Sequence, residues 1–266
     1  GGSLDRPTRR ESVDTPSLSA AIIARLYTVR RSGAGAARLE EQRMYKNQRI
    51  TIVIPCLNEE IAIGRVLEEL PPFVDEAIVV DNNSTDATAE VARSKGAIVV
   101  TELHRGYGRA YKKGFAHATG DIVITLDGDH SYPLDALSYL IEAFLHCKVG
   151  FLSGSRFPTV NPEAMSLKHR IGNRVLSLVM SVLYFHWISD SQSGMWVFRR
   201  DVLSKMRLDS DGMAFSEEIK IEAIRNPEIG FREMFINYSQ RIGEKKLEPW
   251  KDGFRNLWFL VRKRVS

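Results

Sequence analysis

Asp127-Gly128-Asp129 follows directly on Asp121-Ile122-Val123-Ile124-Thr125-Leu126, a run of strand character that ends in two acidic side chains. Two carboxylates one residue apart suit a hard divalent cation, and such a cation shares its remaining oxygen positions with a diphosphate. A D-x-D triplet by itself is frequent by chance. Here two more strand ends carry polar groups: Pro55-Cys56-Leu57-Asn58-Glu59, and Asp81-Asn82-Asn83-Ser84-Thr85-Asp86. Carboxylates brought together from three strands repel one another unless a cation or donor-rich ligand compensates, and Mg2+ or Mn2+ would do so.

The elements that must position these groups are read from periodicity. Ile50-Thr51-Ile52-Val53-Ile54 is a continuous β-branched run, as in a strand covered on both faces. Residues 59–70 have helical spacing and stop at Pro71-Pro72. A second strand, 77–81, ends in an acid, and Asn83 to Asp86 offer capping groups for a helix over 87–95. Gly96 precedes a third strand at 97–101, and a helix over 109–118 ends at Gly120 before the D-x-D strand. Strand and helix alternating at short loops predict an α/β fold, a doubly wound, mostly parallel sheet flanked by helices. In such sheets ligands collect outside the carboxyl ends of the strands, where these acids fall.

Composition narrows the class. With 266 residues, 44% of them hydrophobic, the chain can bury a sizeable core. Its net charge of +4 hides an asymmetry: both ends are basic and the middle is acidic, which is not the uniform basic face of a nucleic-acid binder. Basic ends on an acidic body suit an anionic surface such as a membrane. Cys56 and Cys147, far apart in apolar settings, read as reduced core thiols rather than a disulfide or zinc site. There is neither a Walker sequence nor a G-x-G-x-x-G in the first βα turn, which argues against P-loop and classical NAD binding. The turn Arg105-Gly106-Tyr107-Gly108-Arg109 is glycine-rich and basic and could approach a nucleotide closely.

These motifs, in this order, resemble those of a family 2 glycosyltransferase with the GT-A (Rossmann-like) fold. The matching segments are I-P-C-L-N-E-E, V-V-D-N-N-S-T-D-A-T, R-G-Y-G-R-A-Y-K-K-G, D-G-D-H-S-Y-P and G-S-R-F-P, over residues 50–157. The subgroup most similar is the dolichol-phosphate mannose synthase-like polyprenyl-phosphate glycosyltransferases. The resemblance implies that Pro55, Asn58, Glu59, Asp81, Ser84 and Asp86 hold the nucleoside, while Asp127 and Asp129 hold the metal, Mg2+ or Mn2+; Arg105 and Gly106 are nucleotide-binding candidates from their turn. Ser131 stands where the subgroup often has Gln, which puts a third protein ligand in doubt. Further on, Gly154-Ser155-Arg156, Ser189 to Gly194 with Gln192, Phe215-Ser216-Glu217-Glu218 and Arg241-x-Gly243-x-x-Lys246-Leu247 resemble later family segments.

The implied reaction is inverting displacement at the anomeric carbon, the metal stabilising a departing nucleoside diphosphate. A hydroxyl nucleophile needs a carboxylate base, for which Glu217 and Asp190 are candidates, whereas a lipid phosphate needs only cations to hold it. Arg156, Arg170 and Arg174 are candidates for that second role, with Arg241 and Lys246 closing over a phosphate. The expected partners are a UDP- or GDP-sugar and a polyprenyl phosphate acceptor. The alternative is a soluble or glycan hydroxyl acceptor. A binding module without turnover and a sugar nucleotidyltransferase are rivals; the intact acids and the missing Arg- and Lys-bearing opening loop argue against them.

Residues 1–48 form an N-terminal extension, with Gly1-Gly2-Ser3 resembling a cloning remnant and Leu18 to Arg31 able to form a short helix. Residues 49–247 are the catalytic domain and 248–266 a basic amphipathic segment. In that segment Trp250, Phe254, Leu257, Trp258, Val261 and Val265 share a helical stripe flanked by Lys and Arg, the composition of an interfacial helix. The apolar stretch 175–188 is shorter than the roughly 18 residues of a spanning helix, and reads as a buried or interfacial helix. A cytoplasmic protein, peripheral on the cytosolic membrane face and free to self-associate, is the resulting expectation.

Overall fold

A computed structural model describes residues 47–243 and 249–265. The expected helix over residues 18–31, nearly all of the N-terminal extension, and Lys246 lie outside the described residues.

Seven strands form one sheet in the order β3-β2-β1-β4-β6-β5-β7. They are β1 (Ile50–Cys56), β2 (Glu76–Asp81), β3 (Ile98–Thr101), β4 (Ile122–Thr125), β5 (Phe151–Ser155), β6 (Trp196–Arg199) and β7 (Phe231–Phe235). β1 pairs in parallel with both β2 and β4, so its β-branched side chains are covered on both faces, as the sequence predicts. The chain first builds outward from β1 to β2 and β3, then returns to place β4 on β1's other side. That reversal opens a crevice at the carboxyl ends of β1 and β4, the usual ligand position in such sheets. Cys56 faces Asp81 across β1 and β2, and Val53 faces Thr125 across β1 and β4. The three acidic loops therefore leave the sheet side by side.

β6 alone runs antiparallel to its neighbours, β4 and β5. An antiparallel strand starts where its partner ends. β6 thus carries the loop before it, 189–194, to the same edge as Asp127. β7 pairs in parallel with β5 and leads into residues 236–242. This segment runs back over the D-x-D turn, with Ser239 N–H donating to Ser131 O and Ile242 N–H to Asp129 O, both at 2.9 Å.

The helices are α1 (Glu60–Glu68), α2 (Thr88–Ser94), α3 (Tyr107–His117), α4 (Leu137–Cys147), α5 (Leu167–Tyr184), α6 (Phe215–Arg225) and α7 (Pro249–Val265). The apolar stretch 175–188 belongs to a longer helix than expected. Ser166 accepts from His169 N–H at the start of α5, and Phe185 ends it in a left-handed conformation, leaving Ile188 beyond the helix. α3 and α6 cover the sheet through an aromatic core, with Tyr111 stacked on Phe215 (centroids 5.9 Å) and tilted against Trp196 (5.0 Å). Cys56 is buried and forms no disulfide, as expected. Cys147 corrects the reading of two core thiols: it is free but exposed, at the end of α4.

Candidate active site

Asp127 and Asp129 flank a turn that presses on β1. A Cβ on Gly128 would collide with Cys56 Sγ, so only glycine lets the turn pass. His130 then takes φ 61°, one of three left-handed non-glycine residues at this edge with Asn58 (53°) and Asn83 (63°). One such residue in each acidic loop is the local strain that collects at functional sites. Asp129 Oδ1 accepts from Ser131 N–H (3.0 Å) and Ser131 Oγ (2.5 Å), and Asp129 Oδ2 lies 3.5 Å from Arg241 Nη1. Arg241 Nη2 also donates to Glu59 Oε1 at 3.0 Å. Ser131 therefore orients Asp129.

Asp127 is compensated far less. Its Oδ1 accepts a long bond from Tyr107 Oη (3.3 Å). Burial, then the Asp129 charge, push its carboxyl up to about 7 against the weaker pull of Arg156 and Arg241. Two oxygen-donor acids held in this way fit Mg2+ or Mn2+, whose remaining positions a diphosphate would fill. Among the described residues no cluster of three or more His, Cys, Asp or Glu side chains is spaced to hold a metal.

The nucleoside candidates form a braced rim. Asn58 N–H donates to Ser84 Oγ (3.0 Å), and Thr85 N–H donates to Asn58 Oδ1 (2.8 Å). Ser84 N–H donates to Asp81 Oδ1 at 3.2 Å. Pro55 is the penultimate residue of β1, so it places this loop at the switch point. Asp86 is committed elsewhere. It accepts from Thr88 N–H (3.1 Å), Thr88 Oγ1 (2.5 Å) and Glu60 N–H (3.2 Å), and these bonds outweigh burial and lower its pKa. Its carboxylate braces the starts of two helices. Gly106 answers a different demand from the one expected: a Cβ there would strike Asp211 O, so the turn packs closely on the 210–211 segment. Arg105 remains exposed, its Nη2 3.5 Å from Asn83 O.

Across the crevice, Arg156 and Asp190 are taken up with each other. Nε donates to Oδ2 (2.7 Å) and Nη2 to Oδ1 (2.9 Å), and the guanidinium lies over the Tyr238 ring. Asn173 Nδ2 donates to Asp190 Oδ1 at 2.7 Å, and buried Lys220 donates to Asp190 O at the same distance. Burial opposes ionisation of Asp190, but Arg156, Lys220 and Asn173 overcome it and hold the carboxyl well below the usual range. So held, Asp190 is unsuited to be a base. Arg174 is exposed, its guanidinium over Phe157, while Arg170 is half-buried with Nε lacking a hydrogen bond among the described residues.

Glu217 is completely buried on α6. Its Oε1 accepts from Gln192 Nε2 (2.6 Å), and its Oε2 has no hydrogen-bond partner among the described residues. Burial pushes its pKa well up, against smaller opposing effects of Gln192 and Lys220. Burial thus disfavours its charged form, and Gln192 already occupies Oε1. Three residues in this neighbourhood escape sequence reasoning: Asn173, Lys220 and Asn256, whose Nδ2 donates to Gln192 Oε1 (2.8 Å). Each is a buried polar residue on a helix. The only available signal was its position among the apolar positions that pack inward.

The sequence profile of glycosyl transferase family 2 matches residues 51–207. The chain is 33% identical to the low-salt glycan biosynthesis hexosyltransferase Agl6 of Haloferax volcanii over 80% of its own length and 53% of Agl6. It is 32% identical to a dolichyl-phosphate hexose transferase of the same organism, over 77% of this chain and 89% of the relative. It spans 58% of a third relative, glycosyltransferase AglJ. The chain thus belongs to glycosyl transferase family 2. Among solved structures, glucosyl-3-phosphoglycerate synthase of Mycobacterium tuberculosis, crystallised with Mn2+, UDP and phosphoglyceric acid, superposes with a TM-score of 0.67. At 21% identity it covers 89% of this chain and 84% of its own, and it shares the GT-A fold.

Proposed function

We propose that the protein transfers a hexose, with inversion, from a UDP- or GDP-sugar to a polyprenyl phosphate at the cytosolic face of a membrane, and that it depends on Mg2+ or Mn2+. The observation that carries the acceptor reading is the state of the two candidate bases. Asp190 is locked by Arg156, and Glu217 is completely buried with Oε1 taken by Gln192, so neither is placed to deprotonate a hydroxyl. A phosphate nucleophile needs no base. The similarity to a dolichyl-phosphate hexose transferase supports the same choice.

Asp127 and Asp129 would hold the metal, which supplies charge neutralisation at the departing diphosphate. Asp81, Ser84, Asn58 and Pro55 form the nucleoside rim, with Asp86 and Glu59 bracing it. Arg241, between Glu59 and Asp129, stands where it can meet either phosphate group, and Lys246 follows it in sequence. Exposed Arg174 is the first candidate to meet the acceptor phosphate, with Arg170 one turn away on α5. Arg156 acts through Asp190, fixing the 189–194 loop that carries Gln192.

Two adjacent helices supply the membrane contact. α5 leaves Ile171, Val175, Leu178, Val182 and Phe185 exposed, and α7 leaves Phe254, Trp258, Val261 and Val265 exposed. Arg264 lies over the Phe185 ring and so joins the two stripes. α5 contains no acidic residue and α7 contains only Asp252, so the charge beside this apolar face is almost wholly positive. An anionic lipid surface complements it, whereas a second copy would bring like charges together. Among the described residues no helix is long and apolar enough to cross a membrane.

UDP- and GDP-hexoses assayed with Mn2+ or Mg2+, with and without polyprenyl phosphate, test the reaction. Product that appears only with the lipid phosphate is expected; equal transfer to a small hydroxylated acceptor overturns the acceptor reading. Flotation with phosphatidylserine vesicles tests the surface. Binding that weakens in salt and is lost on Trp258→Glu is expected, and no flotation at low salt overturns it.

A further inference from the structure

The loop 189–194 is fixed along its backbone by bonds that owe nothing to α7. Ser189 and Asp190 N–H groups donate to the Glu233 carboxylate (2.6 and 3.1 Å), Ser191 N–H to Ser177 Oγ (2.9 Å) and Gly194 N–H to Tyr132 Oη (2.7 Å). Gly194 O accepts from Thr125 Oγ1 (2.6 Å), two residues before Asp127, which places the loop against the metal-binding turn. One group in the loop is not fixed in this way. The Gln192 side-chain amide can present either its oxygen or its nitrogen to Glu217, because the two ends are nearly the same shape.

We infer that Asn256, on the inner face of the C-terminal helix, is a positioning residue that sets the orientation of the Gln192 amide and so makes α7 part of the active-site wall. Asn256 is buried, and its Nδ2 donates to Gln192 Oε1 at 2.8 Å. That bond marks the Gln192 oxygen as an acceptor and turns Nε2 toward Glu217 Oε1 (2.6 Å) and Ser191 Oγ (3.2 Å). With Glu217 Oε1 as acceptor and Asn256 Nδ2 as donor, reversing the Gln192 amide would set two oxygens 2.6 Å apart at Glu217 and oppose two donors at Asn256. The hydrogen bonds thus run one way, from Asn256 to Gln192 to Glu217.

The same face of α7 seats the helix. Leu260 is fully buried and its carbonyl accepts from Tyr184 Oη (3.1 Å), while Lys263 Nζ donates to Glu218 Oε1 (3.0 Å). Asn256, Leu260 and Lys263 recur at helical spacing and face the domain, whereas Phe254, Trp258 and Val261 face away. The helix that carries the apolar outer stripe therefore also sets a side chain inside the crevice.

The inference rests on the proposed function only in taking this crevice as the site of transfer. Its test uses the full chain, with Asn256→Leu to keep the helix packing and Asn256→Ala as a second variant. The Gln192 side-chain amide signals are assigned by NMR from their loss in Gln192→Ala. In both Asn256 variants we expect these amide protons to exchange at least about tenfold faster with solvent, since the amide, no longer held at its oxygen, can turn its protons away from Glu217 and Ser191. Unchanged amide signals in both would overturn the inference. Turnover of the nucleotide hexose found active supplies a second reading. Asn256→Leu should lower kcat in the native background and have no further effect in Gln192→Ala; an equal loss in both backgrounds overturns coupling through Gln192. Absence of turnover with every donor would count against the proposed function, while the NMR result would still decide the role of Asn256.

Discussion

Two carboxylates at the crevice, Asp190 buried and Asp127 half-buried, are held in opposite ways. Asp190 meets a bidentate arginine and an asparagine, and burial cannot raise its pKa against them. Asp127 meets one long tyrosine bond and a like-charged neighbour, and its carboxyl rises to about 7. A carboxylate whose charge is met within the protein serves the architecture, here the loop that bears Gln192. One left short of positive charge is ready for a cation from outside. Sequence position alone did not separate them, because both sit in short polar loops next to strands.

The largest way to break this contrast is to remove the Asp190 charge. Asp190→Asn leaves Arg156 buried and unpaired and should cost about 3–5 kcal/mol of stability, measured by urea denaturation. Asp127→Asn is expected to act in the opposite direction on the metal-free protein, raising its melting temperature at pH 8 because the repulsion with Asp129 is gone. The same change should abolish Mn2+-dependent UDP binding and lower transfer by roughly a hundredfold or more, if the metal contributes several kcal/mol to the departing diphosphate. Equal melting temperatures for Asp127→Asn and the parent would show that the two acids do not strain each other.

Lys220 gives the smallest and sharpest test, since it lies beneath Asp190. Burial lowers its pKa to about 8 from 10.5, although Asp190 and Glu233 oppose the shift. A folded pKa below the unfolded one means that the unfolded chain binds more protons between these values. Stability from this group should therefore grow as pH rises from about 8 to 10.5 and be lost as pH falls through about 8. Lys220→Met should flatten that part of the stability profile. A parallel profile in the variant would place the titration elsewhere.

The donor side was largely legible in the sequence. β1, β2 and β4 announce themselves by β-branched runs, and their polar ends are short contiguous motifs, so order and spacing were enough to assign Asp81, Asp127 and Asp129 to one edge. Individual roles within those motifs were less legible. Asp86 also braces two helix starts, and Gly106 also packs against Asp211, contacts that the motifs did not announce. On the acceptor side the important pairs are distant in the chain: Arg156 with Asp190, Arg241 with Glu59, and Asn256 with Gln192. Periodicity carries no information about such meetings, because it reports which face of an element is apolar and not what lies opposite that face.

The helix α7 shows the division most clearly. Its apolar stripe was readable from spacing, but spacing could not say whether the stripe turned inward or outward. Tertiary packing decided it, because Asn256, Leu260 and Lys263 found partners in Gln192, Tyr184 and Glu218, and the aromatic face was left outside. The sequence by itself determined the sheet, the family and the D-x-D pair, since these rest on local runs and short motifs. Which acid keeps its charge, which arginine is already committed and which helix face meets the site were decided by the fold alone. Those properties depend on burial and on partners far away along the chain, and neither exists until the chain has packed.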